Sequence, residues 1–485
     1  MRTKSLPLAI VVTLLGATTA LAKPATITIT SKSPEAVATF LDARDKLDNV
    51  RVTEGVAGMQ HAIALDPDFA LAYAYLGSVT PGAEGTAALE KGVQLSAKLP
   101  EAERIEIQAQ LDGGKGNELA FRSAWEKLAK LAPGDWHVHF ALGQTYLGER
   151  KYDLAASSLK RATDLNPKAA AAFNSLGYVY LLQDRAEPAI ATLKKYVALL
   201  PDDPNPYDSM AEAQMTAGHL QDAEASFQKA YDVSHEFYIA LQGVSQTRFL
   251  RNDWQGGNAA LDQAQAASKR VVDRLGLEFN RAWAQAAAGK LDDAMKTMDA
   301  LDASSKAANE WGTYATVPVA RTKMLVDAGK YDDAIASAAA AMDRLQATQL
   351  PGGTAKFLNR TCMLNRMLAE ARSGKLDAAS QTLATIEADA KATPTNAGLA
   401  NSVQLGRGEI ALARGDAKAA VTALSSCIAQ DTYAQWRLAD AREKAGDKKG
   451  ADQLRNKVLR TNRRDGEYLF VRSLMSNGQA VSGQD

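Results

Sequence analysis

The sequence has little of what catalytic or nucleic-acid-binding proteins depend on. Cysteine is nearly missing, with only Cys362 and Cys427 in 485 residues, and histidine occurs five times. There is no CxxC, HExxH or GxSxG spacing, no dinucleotide fingerprint, and no GxxxxGK[ST] loop to cradle a phosphate. Charge of one sign is not in excess either: 56 basic residues face 56 acidic ones. A non-specific phosphate binder needs surplus Lys and Arg gathered on one face, so nucleic acid is not expected as a partner. Beyond the first 22 residues no apolar stretch approaches the roughly 18–20 residues that a membrane helix requires. What remains is an ordinary folding composition, 46% hydrophobic and 23% charged, well away from disordered chains.

The first 22 residues differ from the rest. Arg2 and Lys4 precede an apolar run from Leu6 to Leu15, and Ala20-Leu21-Ala22 offers small residues around a cleavage point. A basic flank, a short apolar core and a small-x-small ending make a secretory signal peptide. The expectation is an exported protein, periplasmic in a Gram-negative bacterium and otherwise secreted. Its mature chain would begin at Lys23, followed by a linker over 23–33. Export would permit a Cys362–Cys427 disulfide, and closing so long a loop is worth about 4 kcal/mol. Two separately buried thiols are the alternative.

The rest of the chain repeats itself. Pro133, Pro167 and Pro201 stand 34 residues apart, and the same interval separates Leu142-Gly143, Leu176-Gly177 and Met210-Ala211. Ala155, Ala189 and Ala223 keep it as well. His139, Leu142, Gly143 and Tyr146 share one helical face, as do Phe173, Leu176, Gly177 and Tyr180. A second helix in each unit carries Ala155, Leu159 and Ala162, then Ala189, Leu193 and Tyr196, then Ala223, Phe227 and Ala230. Small residues at Gly77, Gly143, Gly177 and Ala211 let two helices approach while bulky neighbours fill the space beside them. Proline just past the second helix ends it.

This order of aromatic, Leu-Gly, Tyr, Ala, bulky residue, Ala and Pro resembles the tetratricopeptide repeat family, most closely over residues 136–237. The resemblance implies an all-α fold, a right-handed α-solenoid of about a dozen helical hairpins. A regular array is expected over 34–237, longer hairpins over 238–463, and a cap with a polar tail over 464–485. In the longer part a turn returns: Gly289-Lys290-Leu291-Asp292-Asp293, Gly329-Lys330-Tyr331-Asp332-Asp333 and Gly374-Lys375-Leu376-Asp377. Gly suits a left-handed residue that stops a helix, and Asp suits the positive start of the next one. These acid pairs are therefore read as surface features and not as catalytic carboxylates.

No enzyme, cofactor or metal site is expected. His137 and His139, two apart on a helix, point about 200° apart and cannot share one ligand sphere. No small-molecule substrate is evident. In the family that the repeats resemble, the first helices line a concave groove that receives a protein or peptide segment. By register the groove residues are Phe140, Gln144 and Leu147; Asn174, Tyr178 and Leu181; Asp208, Glu212 and Met215. Trp283 and Trp436 fall at equivalent places in the longer hairpins. The nine lack Lys and Arg, so the clamp that holds a chaperone's terminal carboxylate is absent. Apolar Phe140, Tyr178, Leu181 and Met215 are expected to be exposed, and the acids to favour a neutral or basic segment with a few apolar anchors. The leading reading is an exported scaffold for protein or peptide binding. The alternative is a structural component of a cell-envelope secretion or polysaccharide-export complex.

Overall fold

A computed structural model describes residues 25–476 apart from 349, 395, 429, 430 and 461. The signal-peptide reading of residues 1–22 and the polar tail from 477 lie outside the described residues. Within them the chain forms 25 α-helices, one short 3-10 turn and no strand. Successive helices are joined by tight turns into hairpins, and each packs chiefly on its neighbours in chain order, so the fold is all-α and solenoid-like. No described helix is long and apolar enough to cross a membrane. The chain divides into two compact units, 1–175 and 176–485, and the division falls inside helix Ala170–Leu182.

In the first unit the core is aromatic. The Phe40 ring lies 5.2 Å from Phe69 and 5.3 Å, edge-on, from Tyr75, and the three are buried with Met59 and Leu71. Trp125 and Leu128 fill a second cluster beside Val138 and Leu142. The repeat's close approach is realised at Gly143, where an added Cβ would sit 2.6 Å from Leu159 Cγ. Residues 25–33 form no helix, yet they are tied down along their length. Ile27 N donates to Asp135, Thr30 donates twice to Glu103, and Ser31 and Lys32 N donate to Asp66. Burial raises the Glu103 carboxyl even with Thr30 donating to it. The stretch expected to be a linker is a bound strap.

The second unit shows the same packing at Gly177, whose missing Cβ leaves room for Leu193. Tyr207 Oη donates to Pro201 O at 3.1 Å. His139 in the first unit, 68 residues earlier, places Nε2 3.2 Å from Pro133 O, a contact the repeat carries along with the sequence. His137 instead faces Tyr75 Oη at 3.4 Å and Asp48 at 3.3 Å, so the two histidines serve separate partners. Helix length grows over residues 271–413, to 17 residues in most helices and 21 in Gly352–Arg372, and falls back to 9–13 residues from Ala417, short of the expected bound at 463. The hairpin of Ala240–Leu250 and Trp254–Ala267 keeps ordinary length, so the lengthening begins one hairpin after residue 238. Adding about one turn to each helix, three to four residues apiece, accounts for the change in period from 34 to 40 or more. Cys362 and Cys427 are free buried thiols. Burial pushes both up to about 12, and each faces a backbone carbonyl, of Ala338 and Asn401 respectively.

Candidate functional site

The nine expected groove residues do not share one environment. In the first unit Phe140 is buried, at 5% exposure, among the rings of Trp136 and His137. It is a packing residue and not an exposed anchor, because the aromatic run Trp136, His137 and Phe140 folds onto itself along one turn. Gln144 is exposed and Leu147 is half-buried. Gln144 lines a cleft of about 560 Å³ with Ser78, Gln110, Phe121, Thr145 and Glu149. The Lys151 ammonium and the Arg122 guanidinium hold the Glu149 carboxylate below its usual range. Asn174 is half-buried, and its Oδ1 accepts no hydrogen bond.

In the second unit Tyr178, Leu181 and Glu212 are half-buried, whereas Asp208 and Met215 are buried. Tyr178 Oη donates to Glu212 Oε2 at 2.7 Å, and burial with the Glu212 charge raises the phenol well above its ordinary range. The acids are already answered from within the chain. Arg464 donates to Asp208 Oδ2 at 2.7 Å and to Glu212, with its guanidinium 4.9 Å from the Phe227 ring centre. Burial disfavours the Arg464 cation, but the two carboxylates outweigh it and its pKa rises. Burial also lifts the Asp208 carboxyl, with Arg464 opposing that rise. The expected exposure of Met215 is therefore corrected: residues 462–465 lie over it and over Asp208. Asn462 Nδ2 donates to Met215 O at 2.9 Å, and Gln246 Nε2 donates to Arg463 O at 3.0 Å.

The chain then enters helix Gly466–Ser476, termed the return helix here, which packs on helices Ala240–Leu250 and Val271–Ala287. It buries Tyr468, Leu469, Phe470 and Val471. Trp283, expected at the groove, is buried, with Gly466 against its side chain and the Phe470 ring 6.2 Å away. A Cβ at Gly466 would come within 2.6 Å of Trp283 Cβ, so only glycine fits there. Trp436 is partly buried beside Tyr433, with Arg437 over its ring.

Sequence reasoning missed a buried ionic group in the same unit. Arg372 and Arg437 both donate to Glu409, which is 1% exposed; Arg372 also donates to Tyr433 Oη at 2.6 Å. Lys323 pairs with Asp327 and with Glu467 of the return helix. Burial alone would raise the Glu409 carboxyl, but the two guanidinium groups carry it down to about 2. A carboxylate so held is a poor general base. The arrangement ties five helices together, and no local motif announces it because its members come from residues 323 to 467.

A family profile described as tetratricopeptide repeat matches residues 140–204. No curated protein sequence matches the chain. Among solved structures, a tetratricopeptide repeat protein from Parabacteroides merdae is 15% identical, with a TM-score of 0.42, over 54% of this chain and 98% of that one. YrrB, titled a TPR protein with an unusual peptide-binding site, is 17% identical, with a TM-score of 0.33, over 39% of this chain and 97% of its own. MamA from Desulfovibrio magneticus is 18% identical, with a TM-score of 0.33, over 34% and 94%. These are likenesses between segments, and no statement of function follows from them. Residues 140–204 carry the tetratricopeptide repeat, and helical hairpins stand on both sides of them.

Proposed function

We propose that this protein is an exported, non-catalytic scaffold that holds a protein or peptide partner on the first-helix face of its repeats. The observation that carries the reading is the cleft in the first unit. It lies on the tetratricopeptide-repeat array, is lined by Phe121 beside polar Gln110 and Thr145, and has Gln144 exposed within it. An apolar wall with a few convergent polar groups is what an extended peptide needs for anchoring and register. Glu118 at its rim suits a neutral or basic segment, whereas Glu149 is already paired with Arg122 and Lys151.

The reading is tested by native purification of the tagged chain from the cell envelope, followed by identification of what comes with it. Gln144→Trp fills the cleft from an exposed position, so the helical circular dichroism stays as it is while partner recovery falls at least tenfold. Undiminished recovery with the folded variant places the partner elsewhere and overturns the assignment. Export is checked by the mass of the mature N-terminus, expected at Lys23; recovery of the intact Met1 chain from the cytoplasm refutes it.

A further inference from the structure

In the second unit a segment near the C-terminus lies over first helices that precede it by more than 200 residues. Residues 462–465 are not helical, and they are held by the Gln246 and Asp208 side chains and the Met215 carbonyl of those helices. These contacts have the form of segment recognition. Asn462 Nδ2 binds a carbonyl on the surface, Gln246 reads two carbonyls of the segment, at Arg463 and Asp465, and Arg464 spans two carboxylates over an aromatic ring. Apolar anchors follow in one turn of helix, with Phe470 against Trp283. A basic residue followed by apolar anchors is also the ligand chemistry that acids at Asp208 and Glu212 demand.

Hydrogen bonding on this face is incomplete. Gln214 Oε1, Ser245 Oγ and Asn462 Oδ1 are buried and take part in no hydrogen bond. Gln214 is the chain neighbour of Met215, whose carbonyl accepts from the Asn462 side chain, and Ser245 is the neighbour of Gln246, which donates to the segment's carbonyls. A buried polar atom without a partner costs free energy, and Asn462 Oδ1 shows that the resident segment is itself incompletely satisfied where it lies.

We infer that the face bearing Asp208, Glu212, Met215, Gln246 and Trp283 is a docking site for a polypeptide segment with a basic residue ahead of an aromatic-bearing helix. Residues 462–476 occupy it in cis, and a partner segment of the same chemistry displaces them. This names a partner chemistry for a second surface of the proposed scaffold. It can fail without that reading failing, because the test needs no outside partner.

The probe is a fluorescent synthetic peptide of residues 462–476, titrated into the full-length chain. The wild-type chain binds it weakly, because the cis segment competes. Arg464→Glu with Phe470→Ala releases the segment, and the peptide then binds at least tenfold more tightly. Adding Asp208→Asn and Glu212→Gln to the released chain abolishes the gain, as does Arg464→Glu in the peptide. A released chain of unchanged helical content that binds no more tightly than wild type overturns the inference. Hydrogen exchange on the wild-type chain provides a measurement free of folding defects. Excess isotopically labelled peptide should speed exchange of the chain's own 466–476 amides; rates unmoved at peptide saturation also overturn it. Gel filtration separates the remaining occupant: a wild-type dimer exchanging its segment between copies, and indifferent to peptide, assigns the face to a second copy and overturns the inference as stated.

Discussion

At the scale of single residues, the sequence is most legible where the repeat forces a contact. Gly177 is small because Leu193 stands where its side chain would be, with Cγ 2.6 Å from the missing Cβ. Gly177→Leu should overpack that crossing and cost about 1–3 kcal/mol, read as a lower urea midpoint with an unchanged slope. An unaltered midpoint would mean that the two helices separate there at little cost. Glu409 is the opposite case, invisible to any pattern. Its carboxyl is depressed from 4.5 to about 2 by Arg372 and Arg437, which overcome its burial. A depressed acid stabilises the fold in full above its unfolded pKa and loses that contribution as pH falls through its folded value. The second unit should therefore hold steady above about pH 4.5 and weaken progressively towards about pH 2. Glu409→Gln should remove this acid limb. At neutral pH it should cost about 3–5 kcal/mol, because two buried guanidinium groups lose their counter-charge. Thermal melts of both chains from pH 7 to pH 2 check the sign and the window. Phe140 shows how register misleads at this scale: a periodic position gives a side chain's direction but not what neighbouring turns lay over it.

At the scale of elements, the turn between the two helices of a hairpin follows one rule with two grades of residue. Gly289, Gly329, Gly374, Gly415 and Gly446 all take positive φ, between 76° and 91°. At equivalent turns in other hairpins the same left-handed place is held by Val50, Arg150, Asp184 and Asn252, and Asn309 takes it between two hairpins, with φ from 57° to 64°. Asn and Asp tolerate this region; a β-branched side chain does not. Val50 is 74% exposed, so no packing compensates it. Val50→Gly should raise stability by about 1 kcal/mol, and Gly374→Ala should lower it by a similar amount. Opposite shifts in melting temperature are the expected result, and equal shifts would contradict the strain argument. The glycine turns were plain from recurrence in the sequence, whereas the non-glycine ones were not, since nothing in Val50 or Arg150 signals positive φ. Helix lengthening was legible as a longer spacing, but its start at Val271 was not, because one ordinary hairpin intervenes.

At the scale of the molecule, local periodicity reports only what lies within a repeat or beside it. The stacked hairpins, their packing stripes and the acidic, aromatic character of the face near Asp208 and Trp283 all follow from residues less than one period apart. The strap at residues 25–33 and the return helix do not, because they join positions 34 to 256 residues apart through contacts with no sequence signature. The return contact also has a temporal side. Glu212 is made 252 residues before Arg464. Synthesis proceeds from the N-terminus at about 5–20 residues per second, with folding following close behind. Roughly 10–50 s therefore separate the synthesis of the acidic residues from that of the segment that covers them. Whichever compartment the chain folds in, the part that closes the face is the last part of it to be made.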